Sequence, residues 1–172
     1  MIKVLLISHA VLGFTAVFAA THHAAHAVLA ALARTQARAL RRFGWIAPAS
    51  ILAQAVTGLA IYPAYRVNVR AADLERSAPI VVQLFDLKEH LAALALVLVI
   101  GAALAGRQSE ERTQWPVAAL SCTGAAFLWT AAVIGLYVTA RHSVRGRCAR
   151  RWRRCRHSPS RISCPERSSS RC

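Results

Sequence analysis

A chain of 172 residues that is 56% hydrophobic, with a mean hydropathy of +0.38, is long enough for one domain and carries too many uncharged runs for an ordinary soluble one. The formal net charge of +15 suggests a nucleic-acid partner, but its distribution argues against one: residues 1–140 carry 11 Lys/Arg against 6 Asp/Glu, whereas residues 141–172 carry 11 Arg and a single Glu. No P-loop, dinucleotide fingerprint or nucleophile elbow is present, and Cys148, Cys155, Cys164 and Cys172 follow no zinc-binding spacing.

Residues 3–33 form an apolar first span, broken mainly by Ser8, His9, Thr21, His22, His23 and His26. About 20 apolar residues suffice to cross a bilayer, and this run is longer. A leader peptide is the competing reading, with Lys3 as its basic start and Val17-Phe18-Ala19 or Ala25-His26-Ala27 as its cleavage site. The apolar character continues past both sites and no soluble domain follows, so a retained helix is expected. Arg34, Arg38, Arg41 and Arg42 then make a basic loop without an acid. The second span covers residues 44–65, with Trp45 and Tyr62/Tyr65 as interfacial anchors and Pro63 bending or ending it. Residues 66–83 read as a mixed-charge connector broken by Pro79, and the third span covers residues 84–106. A short polar turn leads to Trp115-Pro116 and a fourth span over residues 116–140, closed by Tyr137. Gly124, Gly135, Cys122 and many alanines in it suit close helix packing, with Cys122 as a small core residue.

The fold expected is therefore all-α, a four-transmembrane-helix bundle over residues 1–141, followed by a disordered Arg-rich tail over residues 142–172. Four spans put both termini on one side. Short loops rich in Lys and Arg stay cytoplasmic, so the Arg34–Arg42 loop faces inward and both termini face outward. The tail then breaks the sign rule. Its composition is that of a GC-rich gene read in the wrong frame; the alternatives are a basic arm on anionic lipid or on nucleic acid.

This topology gathers the strongest polar groups at the outer end: His9, Tyr62, Tyr65, Arg66, Asp86, Glu89, His90 and Tyr137. Asp86, Glu89 and His90 fall at i, i+3 and i+4, which sets them on one helical face; Lys88 is expected to point elsewhere, toward headgroups. Three chemistries suit such a cluster. Haem b is held between imidazoles on facing helices, and His9 and His90 are the histidines of matching depth, with Gly13 one turn from His9 leaving room for a macrocycle. A second haem would need a histidine near Leu104, and none is there. Asp86, Glu89, His90 and His9 form a weaker oxygen and nitrogen set for a metal ion. Ionisable groups inside spans also mark proton or solute relays. His22 and His26 share a face at i, i+4, and the triplet with His23 is expected to be an amphipathic helix end at the inner interface.

Thr21-His22-His23, Thr57-Gly58, Tyr62-Pro63-x-Tyr65, Val69-Arg70 and Leu84-Phe85-Asp86-x-Lys88-Glu89-His90, in that order, resemble a family of small bacterial four-helix membrane proteins. The resemblance covers residues 5–141 and leaves out the tail. It implies an architecture and a bacterial inner-membrane location, and no chemistry. A looser similarity to four-helix b-type cytochromes rests on helix number and paired histidines. The function expected is that of a structural or accessory membrane component, leaning away from an enzyme. Its partners are the lipid bilayer and other membrane subunits, with no nucleic acid favoured. A haem b electron carrier and a small transporter or proton relay are the alternatives. Resequencing the gene is expected to show a change of reading frame near Arg141–Arg145; a clean read that holds one frame through Cys172 would contradict that expectation.

Overall fold

The computed structural model describes residues 2–33, 37–67, 78–108 and 114–156. They form four helices in chain order: α1 (Ile2–Ala33), α2 (Ala37–Tyr65), α3 (Pro79–Gln108) and α4 (Gln114–Arg156). Each contains a stretch long and apolar enough to cross a membrane, over Val4–Leu32, Arg38–Tyr65, Pro79–Arg107 and Gln114–Ala140. The all-α architecture with four such helices is as the apolar runs imply.

Two boundaries differ from the sequence reading. The basic stretch before the second span is mostly helix, because α2 begins at Ala37 and takes in Arg38, Arg41 and Arg42. Arginine is a good helix former, so charge alone does not make a loop. Pro79 opens α3 instead of breaking a connector; its missing N–H and fixed φ cost nothing in a first turn. The Val81 amide donates to the Ala78 carbonyl at 2.9 Å to close that turn. At its other end α2 passes through Pro48 and Pro63 and stops at Tyr65, the expected limit of the second span, with a π-turn at Arg66 and Val67.

The chain divides into two compact units, Met1–Ile134 and Gly135–Cys172. Within the second, the backbone stays helical as far as Arg156, where disorder is expected from composition. No proline interrupts the sequence between Pro116 and Pro159, and Arg and Ala support a helix without apolar periodicity. The remainder of the tail lies outside the described residues.

The first unit is built around small side chains. α1 buries Ala16, Ala19, Ala20, Ala24, Ala27 and Ala30; α3 buries Ala95, Val99 and Ala102; α4 buries Val117, Ala118, Ser121 and Ala125. From α2, Leu40, Ala47 and Ile51 join these in two stacked clusters. The large apolar residues face away. Phe14 is 70% exposed, Leu59 71% and Val97 67%, the reverse of a water-soluble core. Alanine and glycine seams let backbones approach, which is how helices associate where the surroundings are as apolar as the side chains.

Contacts along the seams fix the order of the helices. α1 meets α2 where His9 reaches Gln54, and again where His23 reaches Gly44. α2 meets α3 where Gly44 faces Ala103 and where Tyr65 stacks on Phe85. α3 meets α4 where Val99 fills the space over Gly124 and Val117 lies against Gly106. α4 returns to α1 through Ser121 and Trp129, whose partners are His23 and Thr21. Within the first unit, every adjacent pair of helices runs antiparallel.

Gly124 is the tightest crossing. A Cβ there would stand 2.9 Å from Val99 Cγ2 and 3.4 Å from Leu98 Cβ, and Val99 is itself only 1% exposed. Gly124→Val is expected to destabilise the bundle by about 1–3 kcal/mol, whereas Gly101→Ala, which meets nothing within 4 Å, is expected to be neutral or to stabilise by up to about 1 kcal/mol. Thermal unfolding of both variants in detergent measures the contrast, and equal midpoints would contradict the assigned seam.

Candidate functional site

Two polar sites lie along α1, 14 residues and about 21 Å apart. The first is centred on His9. Its Nδ1 lies 3.1 Å from the Gln54 carbonyl oxygen and 3.2 Å from Thr57 Oγ1. A carbonyl only accepts, so Nδ1 carries the proton, and in the neutral ring the lone pair sits on Nε2. The Thr57 hydroxyl donates to the Gln54 carbonyl at 2.9 Å, which leaves its lone pairs to face the imidazole. The ring lies over Gly58, where a Cβ would come within 3.1 Å of His9 Cε1. Thr57-Gly58 is thus a seat for His9, the hydroxyl supplying an acceptor and the glycine supplying space.

Gly13, one turn from His9, faces α2. The space over it is taken by the Gln54 amide, whose Nε2 would be 3.3 Å from an added Cβ. His90 is exposed, and its Nδ1 donates to the Asp86 carbonyl of its own helix at 2.7 Å. Lys88, not His90, comes within electrostatic range of His9. It is half-buried, with its ammonium 5.4 Å from the centre of the Phe85 ring.

The face assignments within Asp86–His90 therefore differ in part from those of the sequence reading. Glu89 and His90 are exposed, whereas Asp86 and Lys88 are both half-buried. The cause lies further along α3. Val81, Ala95 and Ala102 are buried, and Lys88 falls at the same seven-residue interval, on the stripe that meets the other helices. His90 is two positions away, about 200° round the helix. Among the described residues no group of three or more His, Cys, Asp or Glu is placed to hold a metal ion, so the set of Asp86, Glu89, His90 and His9 is not assembled. Of the remaining polar residues, Tyr62 and Tyr65 are half-buried and Arg66 is exposed. The Tyr65 ring stacks on Phe85 with centroids 4.4 Å apart. Tyr137 belongs to the second unit.

The second site is centred on His23, which is only 1% exposed. Within the His triplet, His23 is therefore buried, whereas His22 and His26 are half-buried. Ser121 Oγ donates to the Val117 carbonyl at 2.7 Å and lies 3.5 Å from His23 Nδ1, a long contact in which the hydroxyl oxygen accepts. The other edge of the ring, Nε2, points over Gly44, 3.5 Å from where a Cβ would be. His22 and His26 both stack on Phe43, at 5.2 Å and 5.4 Å between centroids, and His22 also packs 4.2 Å from Phe18. Beside His23 a narrow cleft of about 20 Å³ opens between α2 and α3, lined by Arg41, Gly44, Trp45, Ala103, Gly106 and Arg107 among others. The Arg107 guanidinium lies over the Trp45 ring at 4.0 Å.

Gln54, Thr57, Gly58 and Ser121 hold these sites together, and a search for charged or metal-binding residues passes over them. Their signal was a pairing: polar or small residues on a second apolar helix at the depth of each histidine. Compared with protein-family models, curated proteins and solved structures, the chain matches none of them.

His9→Ala is expected to lower stability by about 1–2 kcal/mol through lost packing and one lost interhelical bond, with Thr57→Val costing about 0.6 kcal/mol. His90→Ala is expected to stay within about 0.5 kcal/mol of the parent. Unfolding midpoints of the three variants in detergent check the ranking; a larger loss for His90→Ala than for His9→Ala would overturn the placement of α3.

Proposed function

We propose that the protein is a multi-pass component of a bacterial inner membrane, structural or accessory to a larger membrane assembly, with no reaction of its own. The observation that carries this reading is the inversion of its surface: small residues fill the interior of the first unit while Phe14, Leu59 and Val97 face outward. An apolar exterior of that extent suits lipid or another membrane subunit. The histidines support it further. His9 and His23 are engaged in contacts between helices, which is the work of polar residues that fasten a bundle.

The first helix is part of the mature protein in this reading. Val17, Ala19 and Ala20 are buried among residues of α2, α3 and α4, so removing them would open the core. The Arg38–Arg42 end faces the cytoplasm by the sign rule, and both termini face outward. The order of short motifs from Thr21-His22-His23 to His90 is consistent with membership of the family of small bacterial membrane proteins.

A second reading is a proton relay, favoured by one observation. Lys88 is an ionisable group half-buried in an apolar span, within electrostatic range of His9, and such groups mark proton paths more often than they aid stability.

The tests separate these readings. The protein is expected to stay in the membrane pellet after an alkaline carbonate wash, and reporter fusions at residues 34–36 are expected to report the cytoplasm. An outward-facing loop would overturn the orientation. Protein purified after haem-replete expression is expected to be colourless. A Soret band lost in both His9→Ala and His90→Ala would establish haem instead. Proton flux into liposomes that disappears in Lys88→Met would establish the relay.

A further inference from the structure

We propose that the cleft between α2 and α3 beside His23 binds the phosphate of an anionic phospholipid headgroup. Arg41 and Arg107 both line the cleft, and among the described residues no acid contributes to its lining. Both arginines are exposed, and among the described residues neither has an ion-pair partner. The Arg107 guanidinium carbon lies 4.0 Å from the centre of the Trp45 ring, a cation–π contact that restrains the side chain at the mouth of the cleft. A restrained guanidinium suits the two-point hydrogen bonding that a phosphate offers.

The walls of the cleft are small. Gly44, Ala102, Ala103 and Gly106 leave the groove open between the helices, where larger side chains would close it. The cleft, about 20 Å³, has room for a single water. Nε2 of His23 borders that space and bears the ring's lone pair when Nδ1 donates to Ser121. A water there would donate one hydrogen to Nε2 and the other to a phosphate oxygen lying between the arginines at the mouth.

Position selects a lipid over a soluble anion. Arg41 lies near the start of the apolar stretch Arg38–Tyr65, and Arg107 ends the stretch Pro79–Arg107, so the cleft sits at headgroup level when these helices span a bilayer. The exposed apolar flank below it, with Leu52 on α2 and Ile100 on α3, offers a path for acyl chains. Anionic lipids are concentrated on the cytoplasmic leaflet, where the sign rule puts this end.

The inference rests on the membrane reading above, and the two fail differently. Loss from the pellet on carbonate wash would refute the membrane reading, whereas the lipid test concerns protein that remains there. Native mass spectrometry of the full chain in mild detergent, titrated with phosphatidylglycerol or phosphatidylcholine, reads the affinity directly. Phosphatidylglycerol is expected to bind more tightly. Arg41→Gln and Arg107→Gln are each expected to weaken it about fivefold. Ala103→Leu, which fills the groove without changing charge, is expected to weaken it as well. Arg42→Gln, which removes an arginine outside the lining, is expected to leave it unchanged. Inorganic phosphate at millimolar concentration is expected not to displace the lipid, and displacement would show that the site takes free phosphate without regard to acyl chains. Equal retention of the two lipids, or a loss in Arg42→Gln as large as in Arg41→Gln, would overturn the proposal by showing that general positive charge accounts for binding.

Discussion

Close approach of helix backbones is the constraint on which the rest of the structure depends. Gly124 admits Val99, Gly44 admits His23 and Ala103, and Gly58 admits His9. Each of these contacts needs a missing or minimal side chain on one helix before the other can present its group. Packing of this kind draws on dispersion and on interhelical hydrogen bonds, since few large apolar side chains are buried in it. Among the described residues the largest fully buried side chains are Ile51, His23, Val99, Val117 and Ser121, and two of these five are polar.

The polar groups then act as register marks. An alanine seam alone tolerates sliding, since one alanine resembles the next. His9 against Thr57 and His23 against Ser121 are unlike their neighbours, and they tie α1 to α2 at one level and to α4 at another. Trp129 adds a third mark by donating from its indole nitrogen to Thr21 Oγ1 at 3.0 Å. A helix fastened at two levels about 21 Å apart cannot shift by a turn without breaking both. This gives the histidines of α1 a physical role without any bound group.

Much of the architecture was legible in the sequence because it depends on runs of apolar residues, and those are visible one chain at a time. Helix number, span positions and the small-residue character of the fourth helix all follow from such runs. The candidate site was less legible because it depends on rotation, which only the packing seam sets. Reading α3 from its charges put Asp86, Glu89 and His90 inward. Reading it from Val81, Ala95 and Ala102 puts Lys88 inward, and that stripe is equally visible at seven-residue spacing. Gln54 and Thr57 are two polar residues in an otherwise apolar stretch of α2, and their role as partners of His9 shows only when α1 is packed against them. His23 was grouped with His22 and His26 by sequence proximity, although its position on the helix separates it from them and buries it. The helical backbone as far as Arg156 was hidden by composition, since an arginine run without periodicity reads as disorder.

The central claim is that small-residue seams set the register of these helices. Disulfide trapping between α2 and α3 tests it most directly. The Cβ position of residue 44 lies 3.7 Å from Ala103 Cβ, within the range that a disulfide spans. In a background with the native cysteines replaced by serine, Gly44→Cys paired with Ala103→Cys is expected to cross-link rapidly in native membranes under mild oxidation. The control pair, Gly44→Cys with the outward-facing Val97→Cys, is expected to remain reduced. Absence of a cross-link in the first pair, or equal cross-linking in both, would contradict the register and with it the placement of both histidine sites.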